Sequence, residues 1–375
     1  MAIGNLPEDL EMEILCRLPV KSLLRFKSVC KNWYALILNP SFISLHQDRA
    51  TTVATAGNTD CLLVKRFVAD DKGGMALSFV RYRKPVEDID ISSTGLDITR
   101  LRMLGPSNGV VCLTSLALNS PIVMCNPSMK EFKVLPQSCY KNTRYCNLGF
   151  GFDPSKNDYK VVKFAMRSTK FSNNSIAKRI EIYDLRTDSW REVDAGTPIE
   201  LDFLCSEFVF ASWNGDFYWY TDPHHGGDAA ILAFSMTNEL FKEMPVPKVC
   251  LLHQPHQRSV MRLSVLLDSL ALVIYSQSER CFDIWVMDEE DGEMSWTKKF
   301  TKPFQGIERA LGFRKNGEFL VESFSGLMMS YNLNTREIIE YQVDGPFPSF
   351  NLQLLPYTES LVSVKRHNEL DGHIE

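Results

Sequence analysis

The sequence predicts a mainly β protein with a small all-α module at its N-terminus, the β part being a six-bladed β-propeller. Three observations predict this fold. Apolar residues recur at helical spacing as far as about residue 40, hairpin patterns dominate after residue 60, and one hairpin pattern occurs five times. At 375 residues the chain is long enough for one small module and one large β domain.

The N-terminal module, residues 1–46, is predicted to consist of short helices. Pro7 suits the first turn of a helix, and the acidic residues that follow it complement the helix dipole. An apolar stripe then lies on one face of this helix, and Pro19 ends the helix and begins the next. The stripe consists of Leu10, Ile14, Leu15 and Leu18. The later apolar residues recur every three or four positions: Leu23, Phe26, Val29, Cys30, Trp33 and Ile37.

This module carries more large apolar side chains than such short helices bury among themselves. At about 1.5–3 kcal/mol for each fully buried side chain, a few exposed ones represent a large unused driving force for binding. The module is therefore expected to pack against something else. Two interpretations stay open: a partner protein covers it, or it forms a cap on the chain's own β domain.

Five hairpin segments repeat along the β part. Four of them place a strand residue and an aromatic or apolar residue seven positions apart: Cys125/Phe132, Tyr183/Trp190, Phe234/Phe241 and Tyr331/Ile338. The fifth pair, Trp285/Trp296, has four extra residues in its turn. The first members are separated by 58, 51, 51 and 46 residues. A hairpin repeat near 50 residues predicts a β-propeller.

A second kind of hairpin alternates with the first and completes five four-stranded blades. Three of its turns carry Asn-Gly, at 108–109, 214–215 and 316–317. Residues 61–83 form a hairpin with no partner before it, and residues 351–364 form one with no partner after it. We expect these terminal hairpins to pair as the sixth blade and close the propeller over residues 61–365, which protects its strand edges. A generic β-sandwich array is the alternative.

The remaining segments are predicted as connections. Residues 47–60 are polar, small and aperiodic and indicate a linker, and residues 366–375 indicate a polar tail. Strand polarity puts the long connections between hairpins on one face of the propeller, where recognition loops usually reside. The candidate target-binding residues on these connections are Phe171, Tyr220, Asp222, His224 and His225. The linker is expected to enter from the same face, which would place the module on that side.

Charge and composition limit the kinds of partner that the chain is expected to have. Residues 1–46 carry five basic and four acidic side chains, a net charge of +1. The whole chain has a formal net charge of −5, so the remaining residues carry −6. A mildly acidic β domain has no electrostatic footprint for nucleic acid. The longest apolar run, residues 263–275, is interrupted by Asp268 and too short for a membrane span. Without a secretory signal the ten cysteines are expected to be reduced, and the protein is expected in the cytoplasm or shared between cytoplasm and nucleus.

No catalytic residue, cofactor or metal site is expected. Cys250, His253 and His256 have short spacing that invites a zinc site, but Pro255 separates the histidines and no CxxC accompanies them. The stretch GFGFD, residues 149–153, lacks the third glycine of a dinucleotide-binding loop and is interpreted as a strand start.

The N-terminal residues resemble an F-box over residues 4–46. The resemblance is carried by Leu6-Pro7, Ile14-Leu15, Leu18-Pro19-Val20, Leu23, Arg25-Phe26, Val29-Cys30, Lys31 and Trp33. It implies a substrate receptor of an SCF-type ubiquitin ligase, in which a Skp-type adaptor bridges the F-box to a cullin scaffold. By position, the resemblance implies these adaptor-binding residues: Leu6, Pro7, Ile14, Leu15, Leu18, Pro19, Leu23, Val29 and Trp33.

The β part resembles the plant F-box-associated domain over roughly residues 100–365. The carriers are 107–109 (SNG), 125–127 (CNP), 149–153 (GFGFD), 158–162 (DYKVV), 214–215 (NG) and Trp219. The double glycines of true kelch repeats are missing from the blades. The ending YTESLVSV, residues 357–364, is similar to the S-locus F-box subgroup, which would imply a pistil S-ribonuclease as target.

Two classes of function follow. In the first, the module binds the adaptor, the propeller binds a target protein, and other subunits transfer ubiquitin, so the chain itself is not an enzyme. In the second, the chain is a propeller enzyme or carbohydrate-binding module with a helical cap. A third variant keeps the adaptor but acts as a scaffold without ubiquitination.

Overall fold

Four helices open the computed structural model. It describes residues 7–55, 61–68, 74–81, 83–115, 119–138, 145–167, 177–194, 209–221, 229–252, 261–276, 279–290, 293–303, 306–343 and 352–365. The helices are α1 (Glu8–Leu15), α2 (Val20–Phe26), α3 (Lys31–Leu38) and α4 (Pro40–Thr55). The linker predicted at 47–60 is wrong over residues 47–55, which continue α4. Its residues are small and polar, but no glycine or proline stops the helix before Gly57.

Twenty-four strands form six four-stranded sheets in the described part of the chain. Along the chain, β1 (Cys61–Val68), β2 (Gly74–Arg81) and β3 (Lys84–Ile89) come first. The first blade is β4 (Leu101–Ser107), β5 (Val110–Ser115), β6 (Val123–Asn126) and β7 (Glu131–Val134). The second is β8 (Tyr145–Asp153), β9 (Asp158–Arg167), β10 (Ala177–Asp184) and β11 (Ser189–Val193).

The next three blades repeat this order. The third is β12 (Phe210–Trp213), β13 (Asp216–Thr221), β14 (Ala230–Phe234) and β15 (Phe241–Pro245), followed by the short helix α5 (Lys248–Leu252). The fourth is β16 (Met261–Leu266), β17 (Ser269–Ser276), β18 (Cys281–Glu290) and β19 (Glu293–Pro303). The fifth is β20 (Ile307–Phe313), β21 (Phe319–Ser323), β22 (Met328–Tyr331) and β23 (Ile338–Glu340), and β24 (Gln353–Tyr357) ends the series.

The repeat predicted from the sequence is confirmed at the level of single residues. All four regular pairs are direct cross-strand partners: Cys125/Phe132, Tyr183/Trp190, Phe234/Phe241 and Tyr331/Ile338. Trp285 and Trp296 do not face each other. Trp285 lies opposite Lys298 and Trp296 opposite Met287, and the register shifts at Ile284/Trp285.

The sixth blade joins both ends of the chain, as predicted, but the ends contribute unequally. Its strand order is β24-β1-β2-β3, so the C-terminus supplies one strand rather than a hairpin over 351–364. Strand β3 was not predicted, because Pro85 and its charged neighbours obscure the alternating pattern. A proline is tolerated there, since β3 is the outer edge strand of the blade.

The residues after β24, 358–365, form a C-terminal strap across the first blade. The Asn126 side-chain amide donates hydrogen bonds to the carbonyl oxygens of Ser360 (2.9 Å) and Val362 (2.7 Å). The Val364 backbone N–H donates to the Glu131 carboxylate (3.1 Å). Since side chains of the first blade occupy these backbone groups, the strap does not turn back as a β-strand.

The helical module, defined as residues 7–55, lies on the side of the propeller where each blade's first strand turns into its second. We call this the turn side and the opposite one the connection side. Leu361 of the strap is buried in the module core, and Met129, in the turn between β6 and β7, packs against that core. Lys21 and Lys130 both pair with Glu87 of β3. The module is therefore attached to the propeller by apolar and charged contacts.

The expectation that the module and the long connections share one side is wrong. Cys61 lies opposite Tyr357, the last residue of β24, so the chain enters β1 from the turn side. The hairpin pattern predicts β1 as the third strand of its blade, but β1 is the second. Neighbouring antiparallel strands run in opposite directions, so this difference of one position reverses the side from which the chain enters β1.

Blade packing explains the glycines of the GFGFD stretch, which forms the end of β8. A Cβ at Gly151 would lie 2.4 Å from the Gly215 carbonyl oxygen of the next blade. We expect Gly151→Ala to lower the free energy of unfolding by about 1–3 kcal/mol, because backbone cannot move aside cheaply. Gly74→Ala, with nothing within 4 Å of the added Cβ, should change it by no more than about 0.5 kcal/mol. Equal losses in urea denaturation of the two variants would contradict this steric account.

A buried ion cluster joins the second and third blades on the turn side. The fully buried Lys160 ammonium donates to Asp153 (2.6 Å), to Glu239 (2.8 Å) and to the Met236 carbonyl oxygen (2.6 Å). Arg191 donates to both oxygens of Glu239. Burial raises the pKa of the two carboxyls, but hydrogen bonds from the cations outweigh it. The pKa of Asp153 falls from 3.8 to about 2 and that of Glu239 from 4.5 to about 2.

Lys160→Met is expected to lower the free energy of unfolding by about 3–5 kcal/mol, because it leaves Asp153 buried without its cation. Lys156→Met is the control, since Lys156 is exposed and contacts Glu239 only at 3.3 Å, and it should cost at most about 1 kcal/mol. Carboxyls with a depressed folded pKa stabilise the protein above their ordinary pKa and lose this contribution as pH falls toward about 2. Wild-type stability should therefore fall from pH 5 to pH 3, and fall less in Lys160→Met. Equal denaturation midpoints for both variants would refute the role of the cluster.

Candidate functional site

The structure divides the predicted adaptor-binding residues of the module into two groups. Leu15 and Leu23 are 2% and 0% exposed in the module core, so their side chains offer no surface to a partner, and their assignment to an interface is wrong. Ile14 and Val29 are 52% and 60% exposed. Pro7 and Pro19 are also exposed, Leu18 and Trp33 are partly buried, and Leu6 lies outside the described residues.

Five large apolar side chains of the module are exposed: Leu10, Ile14, Val29, Tyr34 and, on α4, Leu45. We call the four that precede α4 the apolar surface of the module. Leu10 and Ile14 are one helical turn apart on α1 and share a face. Tyr34 on α3 was missed by sequence reasoning, and Leu10 was assigned only to the apolar stripe of the helix. Several such side chains on one small unit indicate an interaction surface.

Contacts between the helices hold this surface in shape. The Trp33 indole N–H donates to the Glu11 carboxylate (3.2 Å), which links α3 to α1. The rings of Phe26 and Trp33 lie 5.3 Å apart, which links α2 to α3. Trp33 is partly buried. One part of its indole contacts α1 and α2, and another part is exposed to solvent.

Of the predicted target-binding residues, only Tyr220 lies among the described residues, and its assignment to an exposed loop is wrong. Tyr220 is buried on β13 and packs with Tyr218 in the apolar cluster between the third and fourth blades. Side chains two positions apart lie on the same face of a strand, so the strand pattern continues through Tyr220. Phe171, Asp222, His224 and His225 lie outside the described residues.

Cys250 lies on α5 and packs in the same cluster as Tyr220. Its burial raises the pKa of the thiol to about 12, so it stays protonated at neutral pH. His253 and His256 lie outside the described residues. Among the residues that are described, no three His, Cys, Asp or Glu side chains come together as a metal site. Nor does any described helix have the length and apolar character needed to cross a membrane.

Comparisons with known proteins match both parts of the chain. Residues 3–45 match the F-box domain, and residues 80–364 match the F-box associated beta propeller domain. In Arabidopsis thaliana, F-box protein At3g08750 is 25% identical over 303 residues, covering 80% of this chain and 74% of its own. F-box/kelch-repeat protein At3g23880 of the same plant is 27% identical over 339 residues, covering 88% of each chain.

Among solved structures, an oligogalacturonate lyase in complex with manganese has a TM-score of 0.42 at 10% identity, covering 74% of this chain and 77% of its own. This likeness carries no functional argument. The F-box-associated match, by contrast, spans well over half of the chain and coincides with five complete blades and the closing strand. The chain therefore belongs to the plant F-box proteins that carry an F-box-associated β-propeller domain.

Proposed function

We propose that this chain is the substrate-recognition subunit of an SCF-type ubiquitin ligase. In this role the module binds a Skp-type adaptor, which attaches it to a cullin scaffold, and the propeller binds the target protein. The observation that carries the proposal is the exposed apolar surface of the module, with Ile14 and Val29 each more than half exposed. Other subunits would carry out ubiquitin transfer, so the chain acts by tethering rather than by catalysis.

The attachment of the module supports this role. Leu361 and Met129 fix the module to the turn side of the propeller, so it is not free to rotate on a linker. The connection side faces the other way and is the proposed target-binding face. A receptor of this shape would hold its target at a defined distance and orientation from the adaptor, which raises the effective concentration of the target at the site of ubiquitin transfer.

The alternative is an enzyme or carbohydrate-binding module in which the helices form a cap. In that case the chain's own propeller would have to cover the apolar stripe of the helices. The strap and Met129 cover one side of the module, but the apolar surface stays exposed. This favours the receptor. A scaffold without ubiquitination would share the adaptor contact and differ only in the fate of the bound target.

A pistil S-ribonuclease as target stays a prediction. The residues that resemble the S-locus subgroup, 357–364, comprise the last residue of β24 and most of the strap. There Tyr357, Ser360 and Leu361 bond to the first blade or pack in the module, so they serve the fold rather than a target. The cytosol and the nucleus, expected from the sequence, are the proposed sites of action.

The proposal is tested by co-expressing the full chain with a plant Skp-type adaptor and the N-terminal domain of a cullin. A complex with one copy of each chain is expected in size-exclusion chromatography with light scattering. A folded protein that elutes free of the adaptor would reject the receptor role. If the complex forms, capture on the immobilised complex and ubiquitination of the captured protein in a reconstituted ligase distinguish a receptor from a scaffold.

A further inference from the structure

A cavity of about 250 Å³ lies where the first strands of the blades meet, on the axis of the propeller. Its wall includes residues from β4, β12, β16, β20 and β24, which come from five different blades. Thr51 of α4 also contributes to the wall, so the module borders the cavity. The cavity is slightly smaller than typical ligand pockets, which begin at about 300 Å³.

Arg262 on β16 lines this cavity without a partner. Its Nε is buried with no hydrogen-bond acceptor, and its guanidinium makes no hydrogen bond or ion pair with any described residue. Two other arginines nearby are paired, Arg309 with Glu322 (2.6 Å) and Arg314 with Glu318 (2.9 Å). Burial, and then the charge of Arg309, lower the pKa of Arg262 to about 10, so it remains charged at neutral pH. The side chain as a whole is partly buried. A cation that is partly buried without an anion is less favourable than a paired one.

Two serines line the same cavity as Arg262, and a glycine leaves space beside it. The hydroxyls of Ser212 and Ser264 line the cavity and, within the described part of the chain, make no hydrogen bond. At Gly312, an added Cβ would lie 3.1 Å from Ser264 Oγ and 3.6 Å from Arg262 Nε. The backbone there has φ +127°, which favours glycine. A glycine at this position therefore leaves room next to the two donors.

The charge of the wall also favours an anion. Three cationic residues line the cavity, Arg262, Arg314 and Lys315, against one acidic residue, Asp268. Arg314 is neutralised by Glu318, which leaves two cations against one anion. This local excess occurs in a chain whose formal net charge is −5. Arginine and hydroxyl donors around a confined space are the groups that bind carboxylate and phosphate oxygens.

We propose that the axial cavity is a binding site for a small anionic metabolite bearing a carboxylate or phosphate group. Arg262 binds the anionic group, with Ser212 and Ser264 as further donors, and the apolar part of the wall covers the rest of the molecule. The volume admits a small molecule rather than a folded peptide. The proposal does not depend on adaptor binding, because it concerns the propeller alone.

The test measures thermal unfolding of the full chain in sodium phosphate or sodium citrate against sodium chloride of equal ionic strength. We expect a saturable rise in Tm with at least one of the two probes. A rise with phosphate alone assigns a phosphate group, a rise with citrate alone assigns carboxylates, and a rise with both assigns the shared anion chemistry. No rise over chloride with either probe would overturn the proposal.

Arg262→Met separates binding from a structural role. Removing an unpaired, partly buried charge should leave the Tm without probe unchanged or higher, while the affinity for the probe falls by about tenfold or more. Arg314→Met is the matched control, since Arg314 lines the same wall but has its own carboxylate, and it should retain the rise. If Arg262→Met retained the full rise, or lost stability without probe, Arg262 would not be the anion-binding residue and the proposal would fail.

Discussion

Replacing Ile14 and Val29 together by aspartate is expected to lower the affinity for a Skp-type adaptor by about 100-fold or more, with little change in Tm. Both side chains are more than half exposed in the isolated chain, so the fold loses little packing when they are changed. At the proposed interface, however, two carboxylates would have to be desolvated against an apolar partner. Loss of central apolar contacts alone costs about 2–4 kcal/mol in typical interfaces. Affinity measured by calorimetry, with thermal unfolding in parallel, checks both parts.

The matched control is a change of Leu240 and Leu267 to aspartate. These leucines are as exposed as Ile14 and Val29 but lie on the propeller. This variant should bind the adaptor with wild-type affinity. If both double variants bind equally well, the apolar surface of the module is not the docking surface.

Removal of residues 353–375 is expected to abolish cooperative folding. The deletion takes away β24, the first strand of the sixth blade, and the strap. Five buried apolar side chains are lost: Leu354, Leu355, Tyr357, Leu361 and Val364. At about 1.5–3 kcal/mol each, their burial is comparable with the entire stability of a typical domain, about 5–15 kcal/mol. In addition, β1 loses its partner strand, and its backbone groups become exposed at an unprotected edge.

A shorter deletion, of residues 366–375 only, is the control, because it leaves all of these contacts in place. It should unfold with the wild-type midpoint, as followed by circular dichroism and urea titration. If the variant that lacks residues 353–375 still unfolds in a single sharp transition, the propeller closes without its C-terminal strand.

Much of the fold could be predicted because hairpins are local. Tyr183 and Trp190 lie opposite each other because a short turn between two strands sets their register, and the same holds for the other regular pairs. The prediction failed where the register depends on more than the turn. A shift in β18 displaced Trp285 from Trp296, and β3 with its proline was recognisable only as the edge of a completed blade.

The candidate site shows the same limit. Ile14 and Leu15 are neighbours in an apolar stripe, and both fit a docking surface by sequence. Only the packing of Leu361 and the other helices against α1 makes one of them exposed and the other buried. Arg262 carried no signal in the sequence, because its lack of a partner depends on which side chains four other strands bring to the axis.

The blades, their number and the helical nature of the module could be predicted, because they follow from periodicity and turns over a few residues. The side of the propeller that carries the module could not. That choice depends on the direction of β1, and its direction is set by pairing with β24, almost 300 residues later. Contacts over such a separation have no local pattern, so the relation between the proposed docking surface and the proposed target-binding face appears only when the propeller closes.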